Sequence, residues 1–192
     1  MTDELGGVVL LGIALFVGTN LDDLLLLVAW FAAGDRRTAE IVAGQYIGVG
    51  LLVAISLAGA ALAEAVAATN LHLLGLVPLA LGIWKVIGLL RGREPESVRP
   101  SPTRSVVAVA SLTVINGADN VGAYVPVFAS FDGAGLLVML VTFAVMITLW
   151  CAAARALVQH PVVGAQLRRH GHILLPIVLI VIGLLILFTP GG

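Results

Sequence analysis

Apolar residues in this chain come in long blocks broken by short polar clusters, with neither the strict alternation of a half-buried strand nor the one-sided stripe of a surface helix. Six blocks stand out, at residues 5–32, 41–66, 71–90, 106–129, 136–158 and 173–188. A bilayer-crossing helix needs about 20 apolar residues, so the pattern predicts six membrane-spanning helices. The breaks carry turn and loop chemistry: Gly34-Asp35-Arg36-Arg37, Thr69-Asn70, Asp132-Gly133, and the stretches 91–103 and 159–171, both containing proline. Residues 91–104 form the one substantial linker, dividing the chain into a first half at 5–90 and a second at 105–190. The whole of 1–192 is expected to be a single transmembrane domain.

Composition agrees with the blocks. Of 192 residues, 60% are apolar and 11% charged, against roughly 45–50% and about 25% in a soluble domain. With six spans no length is left for a soluble catalytic domain, so function is expected within the bilayer or at its faces. A formal net charge of −1 excludes a nucleic-acid partner, which needs a clustered basic surface. The lone Cys151 allows no internal disulfide and no multi-thiolate metal site. The first residues hold Asp3 and Glu4 but no base, so the first block is expected to remain as a span and not to be removed as a signal peptide.

The basic residues orient the spans. Arg36 and Arg37 fall between blocks one and two, Arg91, Arg93, Arg99 and Arg104 between three and four, and Arg155, Arg168 and Arg169 at or between five and six. In a six-helix serpentine these loops share one side, the cytoplasmic one by the positive-inside rule, which leaves both termini outside. A shift of 97 residues lays Leu15, Val17, Asp22, Val28, Phe31, Ala32 and Asp35 on Leu112, Val114, Asp119, Val125, Phe128, Ala129 and Asp132. Three spans per half is an odd number, so the halves would be inverted repeats, the plan of many secondary transporters.

Two polar clusters interrupt the blocks near mid-span. The first is Thr19-Asn20-Leu21-Asp22-Asp23; the second is Asn116-Gly117-Ala118-Asp119-Asn120. Continuous helices would put Thr19, Asp22 and Asp23 on one face, and Asn116, Asp119 and Asn120 on the matching face of the other half. A carboxylate at the bilayer centre costs about 2.5–3.5 kcal/mol even on the lenient insertion scale. Three in one layer therefore need a bound cation or protons, and the two faces together offer an oxygen cage for a cation. Interhelical hydrogen bonding alone would explain the Asn and Thr residues but not three like charges. Asn20, Gly117, Gly122 and Pro126 weaken helical hydrogen bonding and could free backbone carbonyls as further ligands.

Among the remaining polar residues, Lys85 either snorkels to the cytoplasmic interface or pairs with Asp22 or Asp23. Glu64 is expected at an outer vestibule. His72, His160, His170 and His172 fall at helix ends or in loops, and Cys151 reads as a small core residue. The glycines at 44, 48, 50, 59, 82 and 88 read as close helix packing.

The two clusters, the second continuing Val121-Gly122-Ala123-Tyr124-Val125-Pro126, resemble those of the cadmium-resistance transporter family, within the lysine-exporter superfamily. That resemblance spans essentially the whole chain. It implies six helices in two inverted three-helix repeats, a plasma-membrane location of the bacterial inner-membrane type, and efflux of a divalent metal as transported substrate, with no resident cofactor. The implied metal positions are Asn20, Asp22, Asp23, Asn116, Asp119 and Asn120, with Thr19, Lys85, Tyr124 and Glu64 as accessory candidates. Membrane lipid, the metal and counter-moving protons are the expected partners, with a homodimer allowed. Oxygen ligands without thiolate suit Mn²⁺ or Ca²⁺ on softness alone, whereas Cd²⁺ and Zn²⁺ usually prefer sulfur and imidazole. A weak site, however, serves release, which keeps cadmium first with zinc and manganese behind it. Competing readings are export of an amino acid or other small organic cation, a purely structural role, and an intramembrane aspartyl protease. The last lacks the Gly-x-Gly-Asp setting at Asp119.

Overall fold

The computed structural model describes residues 2–32, 38–67, 71–91, 105–159 and 176–188, all in helices or the short turns and caps beside them. The helices are α1 (Thr2–Thr19), α2 (Leu21–Ala32), α3 (Thr38–Ala67), α4 (Leu76–Leu90), α5 (Val106–Asn116), α6 (Val121–Ala129) and α7 (Gly133–Val158), followed by α8 (Pro176–Phe188). Short 3₁₀ turns at Leu71–Gly75 and Ala118–Asn120 lead into α4 and α6. Ser105 and Asp132 cap α5 and α7 through bonds from the backbone N–H of Ala108 and Gly135, at 3.1 and 2.8 Å.

Among the described residues three helical stretches are long and apolar enough to cross a membrane, Thr38–Ala65, Leu73–Leu90 and Gly133–Val158. The number rises to five when each of two bent pairs counts as one span. Those pairs correct the expectation of unbroken helices at 5–32 and 106–129: α1 and α2 meet at 62°, and α5 and α6 at 50°. Side chains that compete for backbone groups explain the first bend. Thr19 Oγ1 bonds back to Leu15 O at 2.8 Å and Asn20 Nδ2 to Phe16 O at 3.0 Å. At the second, Gly117 closes α5 and Asn120 N bonds to Gly117 O at 3.0 Å, a tighter i→i+3 turn. Pro126 is accommodated inside α6 and does not break it. The sixth block is seen as the short apolar helix α8. The linker at 92–104, the breaks at 33–37 and 68–70, and His160, His170 and His172 lie outside the described residues.

Close approaches at glycine fix how the helices lie. A Cβ on Gly44 would stand 2.5 Å from Val109 Cβ, one on Gly48 2.6 Å from Thr113 Cβ, and one on Gly59 2.8 Å from Val125. Helix α3 therefore runs parallel to α5 and α6. Likewise Gly12 meets Met139 and Thr142, and Phe16 meets Phe143 and Trp150, so α7 runs parallel to α1. Gly75 abuts Gly183 O while Gly82 abuts Pro176 O, which sets α4 antiparallel to α8. Tyr46 OH donates to Ala144 O at 2.8 Å and Arg155 Nη1 to Thr38 Oγ1 at 3.0 Å, tying α3 antiparallel to α7.

The buried apolar residues form two clusters, and the bends lie between them. One joins Leu15 and Phe16 to Val49, Tyr124, Phe128, Phe143 and Leu179. The other joins Leu21, Leu24, Leu27 and Trp30 to Ile41, Val109, Leu112 and Cys151. Between them lie buried polar side chains: Thr19, Asn20, Asp23, Gln45, Thr113 and Asn120.

Because Gly44 would place a methyl 2.8 Å from the backbone oxygen of Val106, Gly44→Ala must push α3 off α5, costing about 1–3 kcal/mol. Gly50, with nothing within 4 Å of its added methyl, is the control. Thermal unfolding in detergent, followed by size exclusion, should show a lower midpoint for Gly44→Ala and an unchanged one for Gly50→Ala.

Candidate functional site

The bend of α1 into α2 is held by side chains from the other half of the chain. Tyr124 OH, fully buried, lies 3.0 Å from Thr19 Oγ1 and accepts from Asn20 Nδ2 at 2.8 Å. Trp150 Nε1 donates to the Asn20 carbonyl at 2.7 Å. The same carbonyl accepts from Leu24 N at 3.0 Å, so the bend costs that backbone group no bond. Asn20 Nδ2 also reaches Thr19 Oγ1 at 2.9 Å. Thr19, Asn20 and Tyr124 thus form a buried tie, in which Asn20 has its amide oxygen as the atom suited to a cation.

Asp23 is 3% exposed and sits in the first turn of α2. Gln45 of α3 donates to it through Nε2, and Gln45 Oε1 accepts from Thr113 Oγ1 of α5 at 2.9 Å. One amide therefore links the carboxylate on one bent pair to the hydroxyl just before the bend of the other. Asn116 stands beside the same carboxylate, its Nδ2 buried without a partner at hydrogen-bond distance. Asn120 is buried as well, its amide nitrogen 3.1 Å from where a Cβ on Gly117 would be; any larger residue at 117 would displace it.

Asp22 and Asp119 form a more open group. Asp22 is exposed and accepts from Asp23 N at 2.9 Å. Asp119 and Lys85 are its charged neighbours. Lys85 Nζ lies 2.5 Å from Asp119 Oδ2, with 25% and 31% of the two side chains exposed. Lys85 was expected at Asp22 or Asp23, or at the interface; it pairs with Asp119 instead. The reason lies in packing: Leu81, one turn earlier on α4, fits against Gly122 just past Asp119, where a Cβ would be 2.5 Å from its Cδ1.

The bends also undo the expected common faces. Residues at i, i+3 and i+4 face one way only on an unbroken helix. With the bend between Thr19 and Asp22, Asp23 turns into the protein while Asp22 stays open; Asn116 is likewise parted from Asp119 and Asn120 by the 3₁₀ turn. Among the described residues no three His, Cys, Asp or Glu side chains group as a metal site. A cation held here would need amide, hydroxyl or backbone oxygens beside the carboxylates. Helix ends help: α1 and α5 point their carbonyl ends at this layer, which favours a cation, and α2 and α6 their N-termini, which favour the aspartates.

Glu64 is exposed, 19 residues beyond Gln45 on the same helix, roughly 28 Å away along its axis at 1.5 Å per residue. It belongs to another level of the protein. Cys151 is buried among the apolar residues of the second cluster. The sequence reading had missed Gln45, Thr113 and the indole of Trp150. Gln45 carried a visible signal, as the one glutamine inside an apolar block; the other two had none.

The three long apolar helices and the two bent pairs make this a membrane-embedded protein. No curated protein and no solved structure matches the chain. A sequence model of the cadmium resistance transporter family matches residues 16–192, a stretch that takes in both bends and every charged side chain of the polar layer. The chain belongs to the cadmium resistance transporter family.

Proposed function

We propose that the protein exports a divalent metal cation, cadmium before zinc or manganese, across the plasma membrane, from a site at the level of the two bends. Its ligands would be drawn from Asn20, Asp22, Asp23, Asn116, Asp119 and Asn120, with Gln45 and Thr113 beside them. The observation that carries the reading is the pair of bends. Thr19 and Asn116 end α1 and α5 97 residues apart, and Ala32 and Ala129 end α2 and α6 at the same interval. Each bend brings an aspartate, two residues on, to the layer between the two apolar clusters.

Six spans in two inverted repeats are the arrangement this spacing supports. The packing is reciprocal in the way such repeats require: α3 of the first half lies along α5 and α6 of the second, and α7 of the second along α1 and α2 of the first. Under the positive-inside rule Arg155 and Thr38, which meet at one end, mark the cytoplasmic face, with both termini outside. Exposed Asp22 and half-exposed Asp119 could not face hydrocarbon without large cost. They would line a water-filled vestibule leading to the buried Asp23. The Lys85–Asp119 pair argues against an amino-acid cargo, since the one central base is already engaged by a carboxylate. Exchange for protons is the coupling we favour, because a carboxylate layer emptied of metal is most cheaply neutralised by protons.

Purified protein in liposomes should carry Cd²⁺ saturably. The Asp22→Asn/Asp119→Asn double variant should lose at least about tenfold of that flux, as expected when an interaction of some 1.4 kcal/mol or more is removed. Retained flux in the folded double variant would remove the site.

Gln45→Leu leaves Asp23 buried without its donor and Thr113 without its acceptor, a loss of about 1–3 kcal/mol for each stranded group. We expect weaker half-saturation for Cd²⁺ and a lower unfolding midpoint; Gln45→Glu, which adds a charge beside Asp23, should be worse than Gln45→Leu.

With the receiving side more acidic, metal flux should rise, and protons should move oppositely to the metal, so that internal pH rises as metal enters and falls as it leaves; an unchanged flux would exclude proton exchange.

A further inference from the structure

Resting on that reading, we propose that Lys85 is a tethered cation that occupies Asp119 whenever the metal is absent and must leave it for the metal to bind. In this role it sets both the apparent affinity and the ability of the empty carrier to reset. The ammonium lies 2.5 Å from Asp119 Oδ2, in the position a cation bound to that carboxylate would take, and its charge is felt at Asp22. Asp22 and Asp119 come from the two separate bends, and Lys85 from neither.

Two features suit the residue to coming and going. First, α4 is held firmly while the side chain is not. Gly122 takes Leu81 on one side, and Gly82 meets Ile180 and Pro176 O of α8 on the other, so the backbone at 85 is fixed on both flanks. The lysine side chain itself is 25% exposed, on a stem with four rotatable carbons, and can swing from Asp119 towards the open side without moving the helix. Second, the exchange of charge favours a divalent ion. A divalent cation that displaces the ammonium brings +2 where +1 stood beside Asp119, whereas a monovalent ion would replace the ammonium like for like and gain nothing. The lysine thereby favours divalent cargo by charge alone, independent of ligand softness.

The kinetic consequence is specific. A carrier whose empty site is partly filled by its own ammonium can return with less unbalanced charge, while one lacking it returns poorly without cargo. Competition by the tethered group also weakens apparent binding by the fraction of carriers in which the site is taken.

The test compares Lys85→Gln, Lys85→Arg and wild type in liposomes, measuring net Cd²⁺ efflux and Cd²⁺/Cd²⁺ exchange separately. We expect Lys85→Gln to lower the half-saturation concentration by about tenfold, to reduce net efflux by at least as much, and to keep exchange near wild type; Lys85→Arg should keep both modes. Unchanged half-saturation and net efflux in Lys85→Gln would overturn the proposal. So would loss of both modes in a folded Lys85→Gln protein, which would make the lysine a structural strut. Should Lys85→Gln fail to fold, Lys85→Cys in a Cys151→Ala background decides: an aminoethylthio group attached at 85 should restore net efflux, and a neutral methylthio group should not. Equal effects of the two would also overturn it. If the wild type moves no Cd²⁺ in either mode, the metal-export reading itself has failed, an outcome distinct from all of these.

Discussion

A carboxylate in a low-dielectric interior must be compensated on the spot, and in this protein that demand falls hardest on Asp23. It is 3% exposed and has apolar clusters above and below it. Its donor is Gln45 of α3, and the glycines at 44 and 48 bring that stretch of α3 close against α5. Gln45 in turn needs Thr113, so the partner hydroxyl must stand just ahead of the second bend. One buried charge thus fixes the spacing of three helices.

The backbone of the two halves corresponds more closely than their side chains do. At the 97-residue interval Gln45 falls on Thr142, Lys85 on Ile182, Tyr124 on Leu27 and Trp150 on Val53. Thr142 spends its hydroxyl on Val138 O at 2.8 Å within its own helix and reaches no carboxylate. The first bend is accordingly the clamped one, with Tyr124 and Trp150 upon it, and the second is the one that meets the Lys85 ammonium. Such unequal ends would give the two sides of the membrane different access to the same layer, as a directional carrier requires.

Much of this was legible in the sequence and some was not, for physical reasons. The apolar blocks located the helices because hydrocarbon forces every backbone group into internal bonds, and length alone then delimits a span. Asp22, Asp23 and Asp119 stood out because charge is rare there. The bends did not follow from the pattern: Asn20 and Gly117 weaken a helix without dictating an angle, and the angle at Asn20 is held by Tyr124 and Trp150, more than 100 residues away in sequence. Assuming straight helices led directly to the misplaced common faces. Lys85 was ambiguous for a related reason, as a flexible side chain reaches several carboxylates and the packing of Leu81 on Gly122 selects among them.

The division of the core into two apolar clusters bears on how a buried site could open. A continuous core resists relative motion because close-packed side chains interlock across any plane drawn through it. Here α1–α2, α3, α5–α6 and α7 each change cluster at the level of the bends. Ile41 belongs to one and Val49 to the other, with Gln45 between; Cys151 and Met146 are parted in the same way, with Trp150 packed against both clusters. The layer between is held by directional bonds and an ion pair, which can exchange one partner for another of equal strength, as interlocked methyl groups cannot. On the proposed function, a cation entering this layer would replace the very interactions that join the two clusters. Binding and opening would then act on the same few bonds, and any rocking of one half on the other would have its natural hinge plane at Asp23, Gln45 and Thr113.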